Sequence, residues 1–144
     1  YNIEIKSEIK YDNLFHPTPD IFSNLVYNEI KNSNIYLDRI NIQSFDLRIL
    51  QYFHKNYNHI KIGLLVEEDV SPSIMIKKLG FRPDIYSSNY IYLNGDQVDY
   101  LHNHKILVIP WTVNDDEDIK RMLSIVVDGM ISDDPQKVIC YLNE

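Results

Sequence analysis

Six short apolar runs, each followed by a stretch of helical spacing, constrain this chain more than any single residue does. The runs are "NIEIK" (2–6), "DRINIQSF" (38–45), "IKIGLLVE" (60–67), "PDIYSSNYI" (83–91), "KILVIPWTV" (105–113) and "VDGMISD" (127–133). Most follow one another at roughly 20–30 residues, the size of a βα unit. Between them the helix signals are specific. Thr18 precedes Pro19, and Phe22, Val26 and Ile30 follow at helical spacing, beside a second file of Ile21, Leu25 and Asn28. Asp46 stands where it can cap a helix carrying Leu47, Leu50 and Phe53. Ser71 and Pro72 start a helix that Gly80 stops. "GDQVDYLHNHK" supplies the next helix. Asn114 is read as the N-cap of the one after it, with Asp115, Asp116 and Glu117 at the positive end of its dipole. "DPQKVICYLNE" finishes the chain. Strand and helix in strict alternation predict a parallel sheet with helices packed against it. No linker divides the chain, so residues 1–144 are read as a single domain. Two architectures fit: an open doubly wound sheet, or a (β/α)₈ barrel without its beginning. The chain has only four glycines and no G-x-G-x-x-G turn, which weakens a nucleotide-binding open sheet.

Composition excludes several functions. A net charge of -7 argues against non-specific binding to nucleic acid or to an anionic membrane. With 44% hydrophobic and 12% aromatic residues the chain can bury a core and is not disordered. The single cysteine, Cys140, rules out an internal disulfide and a cysteine-rich zinc site, and it is read as a core thiol of the last helix. No run approaches the roughly 18 consecutive apolar residues of a transmembrane helix. Localisation is left open.

The polar residues favour the barrel, where chemistry gathers at the carboxyl ends of the strands. Those ends read Glu4 and Lys6, Gln43 and Ser44, Glu67 and Glu68, Ser87 to Asn89, Trp111 to Asn114, and Ser132 to Asp134. Any strand turns polar as it meets a loop, so most of these ends say little. Glu4 and Lys6 say more, because they alternate with Ile3 and Ile5. Alternation turns the isoleucines toward the helices and the two charges toward the barrel interior. An unpaired charge there is costly. Glu4 therefore pairs structurally with Lys6, or it serves as an oxygen ligand for a hard divalent cation while Lys6 holds an anionic substrate group.

"NIEIK", "QSFD", "GLLVEE", "VIPWTVND" and "VDGMISDDP", in that order and spacing, resemble the carboxyl-terminal portion of a glycerophosphodiester phosphodiesterase. The resemblance implies a metal-dependent TIM-barrel hydrolase that splits glycerophosphodiesters into an alcohol and glycerol 3-phosphate. Carried over residue by residue, it implies that Glu4 binds the metal (Mg²⁺ or Ca²⁺), that Lys6 lies near the substrate phosphate, and that Trp111 lines the wall. Ser44 and Phe45 match the family's S-F pair in a supporting place. Asp133 and Pro135 match a closing motif that shapes the rim. His102 and His104 are read as solvated.

The family's His-Arg strand, E-x-D strand and H-D motif do not occur here. With them go the acid–base histidines and the other metal carboxylates, so no catalytic residue is assigned within this chain and its metal site is expected to be incomplete. The expected fold is thus α/β, a partial TIM (β/α)₈ barrel of about six parallel βα units, a truncated part of an active parent and inactive alone. Two exposed sheet edges would favour self-association as a homo-oligomer. The alternatives are a non-catalytic barrel remnant serving as an interaction or oligomerisation module, and an open α/β binding domain in which Glu4 and Lys6 are only an ion pair. The alcohol of the substrate is not legible.

Overall fold

A computed structural model describes residues 1–142. Along them run β1 (Asn2–Glu4), α1 (Pro19–Asn32), β2 (Asn41–Ser44), α2 (Leu47–Asn56), β3 (Lys61–Val66), α3 (Pro72–Leu79), β4 (Ile85–Ser88), α4 (Gly95–Asn103), β5 (Leu107–Val108), α5 (Asp116–Ser124) and α6 (Pro135–Leu142). The stretch read as the last helix includes Asn143 and Glu144, which lie outside the described residues. The sheet is parallel throughout, and its strand order is chain order.

Register sorts the side chains into two faces. One file runs Ile3, Ile42, Ile62, and a second runs Leu64, Tyr86, Val108. These pack in one core with Ile49, Leu50 and Phe53 of α2, Leu79 of α3, Leu101 of α4, and Ile119 and Met122 of α5. Burying that core is the main favourable term in the fold, at about 1.5–3 kcal/mol for each large apolar side chain. The opposite face carries Glu4, Gln43, Gly63, Ile85 and Leu107 in register. Gln43, Leu65 and Ser87 are buried there too, although they face away from the helices. The Phe45 and Trp111 rings, beyond the ends of β2 and β5, meet with centroids 5.5 Å apart. In a flat sheet, strands three places apart stand about 14 Å from one another. The sheet therefore curls, and this face is the concave one.

The expected parallel sheet in chain order is present, with five strands instead of six. The sixth run, 127–133, does lie beside β5: Asp128 N–H donates to the Val108 carbonyl (2.9 Å), Ile131 N–H to Pro110 (2.9 Å), and Val113 N–H to Ile131 (2.9 Å). It does not form a regular ladder for two reasons. Pro110 has no N–H to give, and the Val108 N–H goes to the Asp128 carboxylate at 2.7 Å. The same segment runs along the outer side of β5, whereas among the described residues no strand lies outside β1.

Local signals were met unevenly. Thr18 and Ser71 occupy N-cap positions without a side-chain bond, and the prolines behind them start α1 and α3. Asp46 caps α2 by accepting from the Arg48 N–H at 3.0 Å. Asp115, not Asn114, is the N-cap residue of α5. The Asn114 side chain is taken by the turn before α6, where it accepts from the Asp133 N–H (3.0 Å) and donates to the Asp133 carboxylate (2.8 Å). Ile21 and Leu25 are half exposed, while Ile30 is buried and Phe22 and Val26 pack on the core. Cys140 is exposed, not a core thiol.

Among the described residues four helices end on a left-handed residue, Asn34 after α1, Gly80 after α3, Lys105 after α4 and Val126 after α5, and the glycine and the valine meet that need differently. Gly80 ends α3 at φ 87°, and a Cβ there would meet nothing within 4 Å. Val126 ends α5 at φ 60° despite its branched side chain. Urea denaturation should show Gly80→Ala less stable by about 1–2 kcal/mol, from backbone strain alone. Val126→Gly should have the opposite sign, gaining up to about 1 kcal/mol after the extra freedom of the unfolded chain is subtracted.

Candidate active site

A cleft of about 720 Å³ opens at the carboxyl ends of β1, β2 and β3. Glu4 and Lys6 line it together, with Phe45 and Glu67 beside them. The Lys6 ammonium lies 3.9 Å from the Glu4 carboxylate, and the Lys6 side chain is 83% exposed against 29% for Glu4. A pair this open contributes little to stability. The fold does not need it, so the two charges are available for a ligand.

Trp111 does not line the cleft itself. Its indole N–H donates to the Ser87 carbonyl at 2.8 Å, and its ring meets Phe45 edge to face at 89°. Ser87 in turn donates its hydroxyl to the Ile109 carbonyl at 2.6 Å. One serine thus holds both the strand and the indole, and Phe45 carries the aromatic wall from Trp111 into the cleft. The structure brings Glu4 and Lys6 into direct proximity, with Phe45 in the same cleft and Trp111 against Phe45.

Residues 7–16, between β1 and α1, form the near wall and were not singled out from the sequence. Asp46 organises them. Its carboxylate accepts from the Ser7 hydroxyl (2.8 Å) and from Arg48 Nη2 (2.7 Å). Arg48 reaches on to Asp12 with Nη1 at 2.6 Å and Nη2 at 3.1 Å. Burial works against the Asp46 carboxylate, but the hydrogen bonds from Arg48 and Ser7 outweigh it and hold its carboxyl below the usual range. The two carboxylates raise the Arg48 guanidinium still further above its already high value. His16 also lines the cleft. Its Nε2 accepts from the Glu8 N–H at 3.0 Å, so its Nδ1 carries the proton and donates to the Pro17 carbonyl at 2.8 Å. Both nitrogens are engaged, and His16 fastens the loop. An H-P pair within a loop gives no sequence signal of this.

His102, read as solvated, instead lies 2.8 Å from the Asp128 carboxylate and is only 34% exposed. His104 is exposed, with Nδ1 at 2.7 Å from the Tyr100 carbonyl. Both are on α4 or just past its end, away from the cleft lining. Among the described residues no group of three or more His, Cys, Asp or Glu side chains is arranged to hold a metal ion. Glu8, Glu67 and Glu68 also line the cleft, but they are not grouped with Glu4 to hold an ion, and one carboxylate does not make a metal centre by itself.

Residues 3–137 match the model of the glycerophosphoryl diester phosphodiesterase family. The chain belongs to that family. It is 36% identical over 141 residues to a glycerophosphodiester phosphodiesterase of Caldanaerobacter subterraneus, a match covering 96% of this chain and 53% of that protein. A glycerophosphodiester phosphodiesterase of Bacillus altitudinis is 30% identical over 106 residues, 71% of this chain and 42% of the relative. The chain thus spans about half the length of the curated relatives it matches. Among solved structures, an Oleispira antarctica phosphodiesterase in complex with the product sn-glycerol-3-phosphate superposes with a TM-score of 0.79 at 17% identity, covering 99% of this chain and 55% of that one. A glycerophosphodiester phosphodiesterase of Parabacteroides distasonis reaches 0.78 at 17% identity, covering 99% and 56%. This glycerophosphoryl diester phosphodiesterase fold therefore extends over nearly the whole chain.

The Asp46 network makes an acid-stability prediction. The folded chain holds this carboxyl below its unfolded value, so its contribution is complete above about pH 4. It is lost as acid protonates the folded carboxylate. Asp46→Ala should be less stable by about 1–2 kcal/mol at neutral pH, since it removes the helix cap. Urea midpoints followed from neutral to acid pH should then fall less steeply in Asp46→Ala than in the natural chain.

Proposed function

We propose that this chain carries one metal carboxylate, the phosphate-facing cation and the aromatic wall of a phosphoric diester hydrolase acting on glycerophosphodiesters. The observation that supports this is the Glu4–Lys6 pair, 3.9 Å apart and presented to the cleft in a chain of this family. Lys6 supplies a compact positive charge for a phosphate oxygen. Phe45, braced by the Trp111 ring, offers an apolar edge for the carbon skeleton of the substrate. Glu4 is one oxygen ligand for a divalent ion, Mg²⁺ or Ca²⁺, whose chemistry when bound would be to polarise the phosphate.

Hydrolysis breaks the P–O bond to the alcohol, puts the water oxygen on phosphorus, and returns a proton to the departing alcohol oxygen. The resemblance to the family implies that histidines carry that proton traffic, and the motifs that hold them do not occur in this sequence. His16 has both nitrogens engaged. The 144-residue chain alone should therefore hydrolyse glycerophosphocholine no faster than buffer, with Mg²⁺ or Ca²⁺ present, in a continuous assay for choline. Metal-dependent turnover by a clean sample would show that the acid and base have been misplaced.

A protein carrying this segment together with the family's acid–base half tests the two charges separately. Glu4→Gln keeps the size and removes the charge, so the Mg²⁺ midpoint should rise and excess metal should restore part of the rate. Lys6→Met keeps the stem and removes the phosphate contact, at about 1.5–3 kcal/mol or roughly 10- to 100-fold in kcat/KM. Added metal should not repair that loss. If the pair is only structural, both variants would instead melt earlier with an unchanged metal midpoint.

The second reading, a non-catalytic module that associates with itself, has one observation in its favour. The β1 edge is open, and Ile21 and Leu25 of α1 are half exposed (49% and 53%). Sedimentation velocity distinguishes it, since that reading requires a dimer at micromolar concentration.

A further inference from the structure

Lys6 lies beyond the end of β1, where backbone pairing has already stopped. The Ile5 N–H still donates to the Gln43 carbonyl at 2.9 Å. After that, side chains of β2 and the turn behind it take over. The Ser44 hydroxyl donates to the Ile5 carbonyl at 2.6 Å, and the same oxygen accepts the Asp46 N–H at 3.1 Å. The Ser7 hydroxyl donates to the Asp46 carboxylate at 2.8 Å. Ser44 is fully buried and Ser7 is 9% exposed. Lys6, between these two fixed neighbours, is the exposed residue that faces the cleft.

We propose that Ser7, Ser44 and Asp46 are positioning residues for Lys6. They prolong the β1–β2 pairing with side-chain bonds past the last ladder bond and so hold the backbone from which the ammonium is presented. The inference rests on Lys6 as the phosphate contact. Its physical logic is local. A strand end released from its ladder frays, and a lysine on a frayed end spreads its charge over many positions. Each bond to a fixed neighbour removes some of that freedom before the anion arrives, so less ordering remains to be done on binding. Asp46 is itself locked by Arg48 and by its place at the start of α2, so the clamp is anchored to a helix and not to another loop. The Ser-x-Asp spacing in "QSFD" fits this task. Serine and aspartate reach back to β1 from either side of Phe45, and Phe45 joins the aromatic wall.

Two alanine variants test the clamp in the 144-residue chain. Ser7→Ala removes the donor to Asp46 but leaves the helix cap and the Arg48 bonds whole. Ser44→Ala removes the donor to Ile5, and Ser7→Thr restores a hydroxyl at position 7. Hydrogen exchange at the Ile5 amide reports opening of the strand end, and the ¹⁵N order parameter of Lys6 reports its fast motion. Each alanine variant should speed Ile5 exchange by about 3- to 10-fold and lower the Lys6 order parameter. Exchange at Val113, which opens with the far rim where its N–H donates to Ile131, should stay unchanged, and Ser7→Thr should behave as the natural chain. Titration with glycerol 3-phosphate, followed by backbone shifts, supplies the second readout. Ser7→Ala should weaken binding by about 3- to 10-fold, with no further loss when Lys6→Met is already present. Unchanged exchange and order in both alanine variants overturns the clamp. A loosened strand end with undiminished affinity overturns the positioning role, and so does a full additional loss on top of Lys6→Met. If the natural chain and Lys6→Met are equally blind to glycerol 3-phosphate, the reading of Lys6 as phosphate contact falls and takes the positioning role with it.

Discussion

Parallel pairing in chain order is the constraint on which everything else rests. Because all five strands run the same way, every carboxyl end comes to one rim. Because neighbours pair residue to residue, one face collects Ile42, Leu64, Tyr86 and Val108, and the other collects Glu4 and Gln43. A slip of one residue at β1 would turn Glu4 into the helical core and Ile3 into the cleft. The cost of a bare carboxylate among buried isoleucines holds the register. Site and core are thus two sides of one decision.

Backbone pairing has a limit, and the site lies at that limit. The regular strand ends at Glu4, yet Lys6, the cation paired with Glu4 at the cleft, lies two residues further on. Side chains bridge the difference. Ser44 and Asp46 reach back to Ile5 and Ser7, while Arg48 ties Asp46 to Asp12 and so to the loop that walls the cleft. At the other end of the sheet Ser87 plays a comparable part, supporting Ile109 with its hydroxyl and the Trp111 indole with its carbonyl. In both places a small hydroxyl residue at the end of a strand extends order a step past the ladder. Such residues suit the task because they are short, lose little rotamer freedom, and present a donor and an acceptor on one atom.

Proline and aspartate decide where the sheet stops. Pro110 cannot donate and Asp128 takes the Val108 amide for its side chain, so the segment from 127 to 133 follows β5 without becoming a strand. That segment still blunts the β5 edge, which would otherwise present unpaired backbone groups. It also carries the Asn114–Asp133 bond, which fixes the rim next to Trp111 and precedes Pro135 at the start of α6.

Alternation of strand and helix was enough to give the parallel sheet with its helices, and alternation of apolar and polar residues in β1 gave the orientation of Glu4 and Lys6, because side-chain period is a local matter of one strand. The motif "WTVN" with its distant "DGMISDDP" pointed to the family, and residues 3–137 match it. Tertiary structure decided the rest. No spacing shows that Asn114 would leave its helix for Asp133, that His102 would find Asp128, or that His16 would spend both nitrogens on Glu8 and Pro17. Nor does "QSFD" alone reveal that its serine and aspartate reach back to β1. Apart from those of His16, which close a single loop, these bonds join residues far apart in sequence, and a chain makes them only by bringing the segments together in the fold.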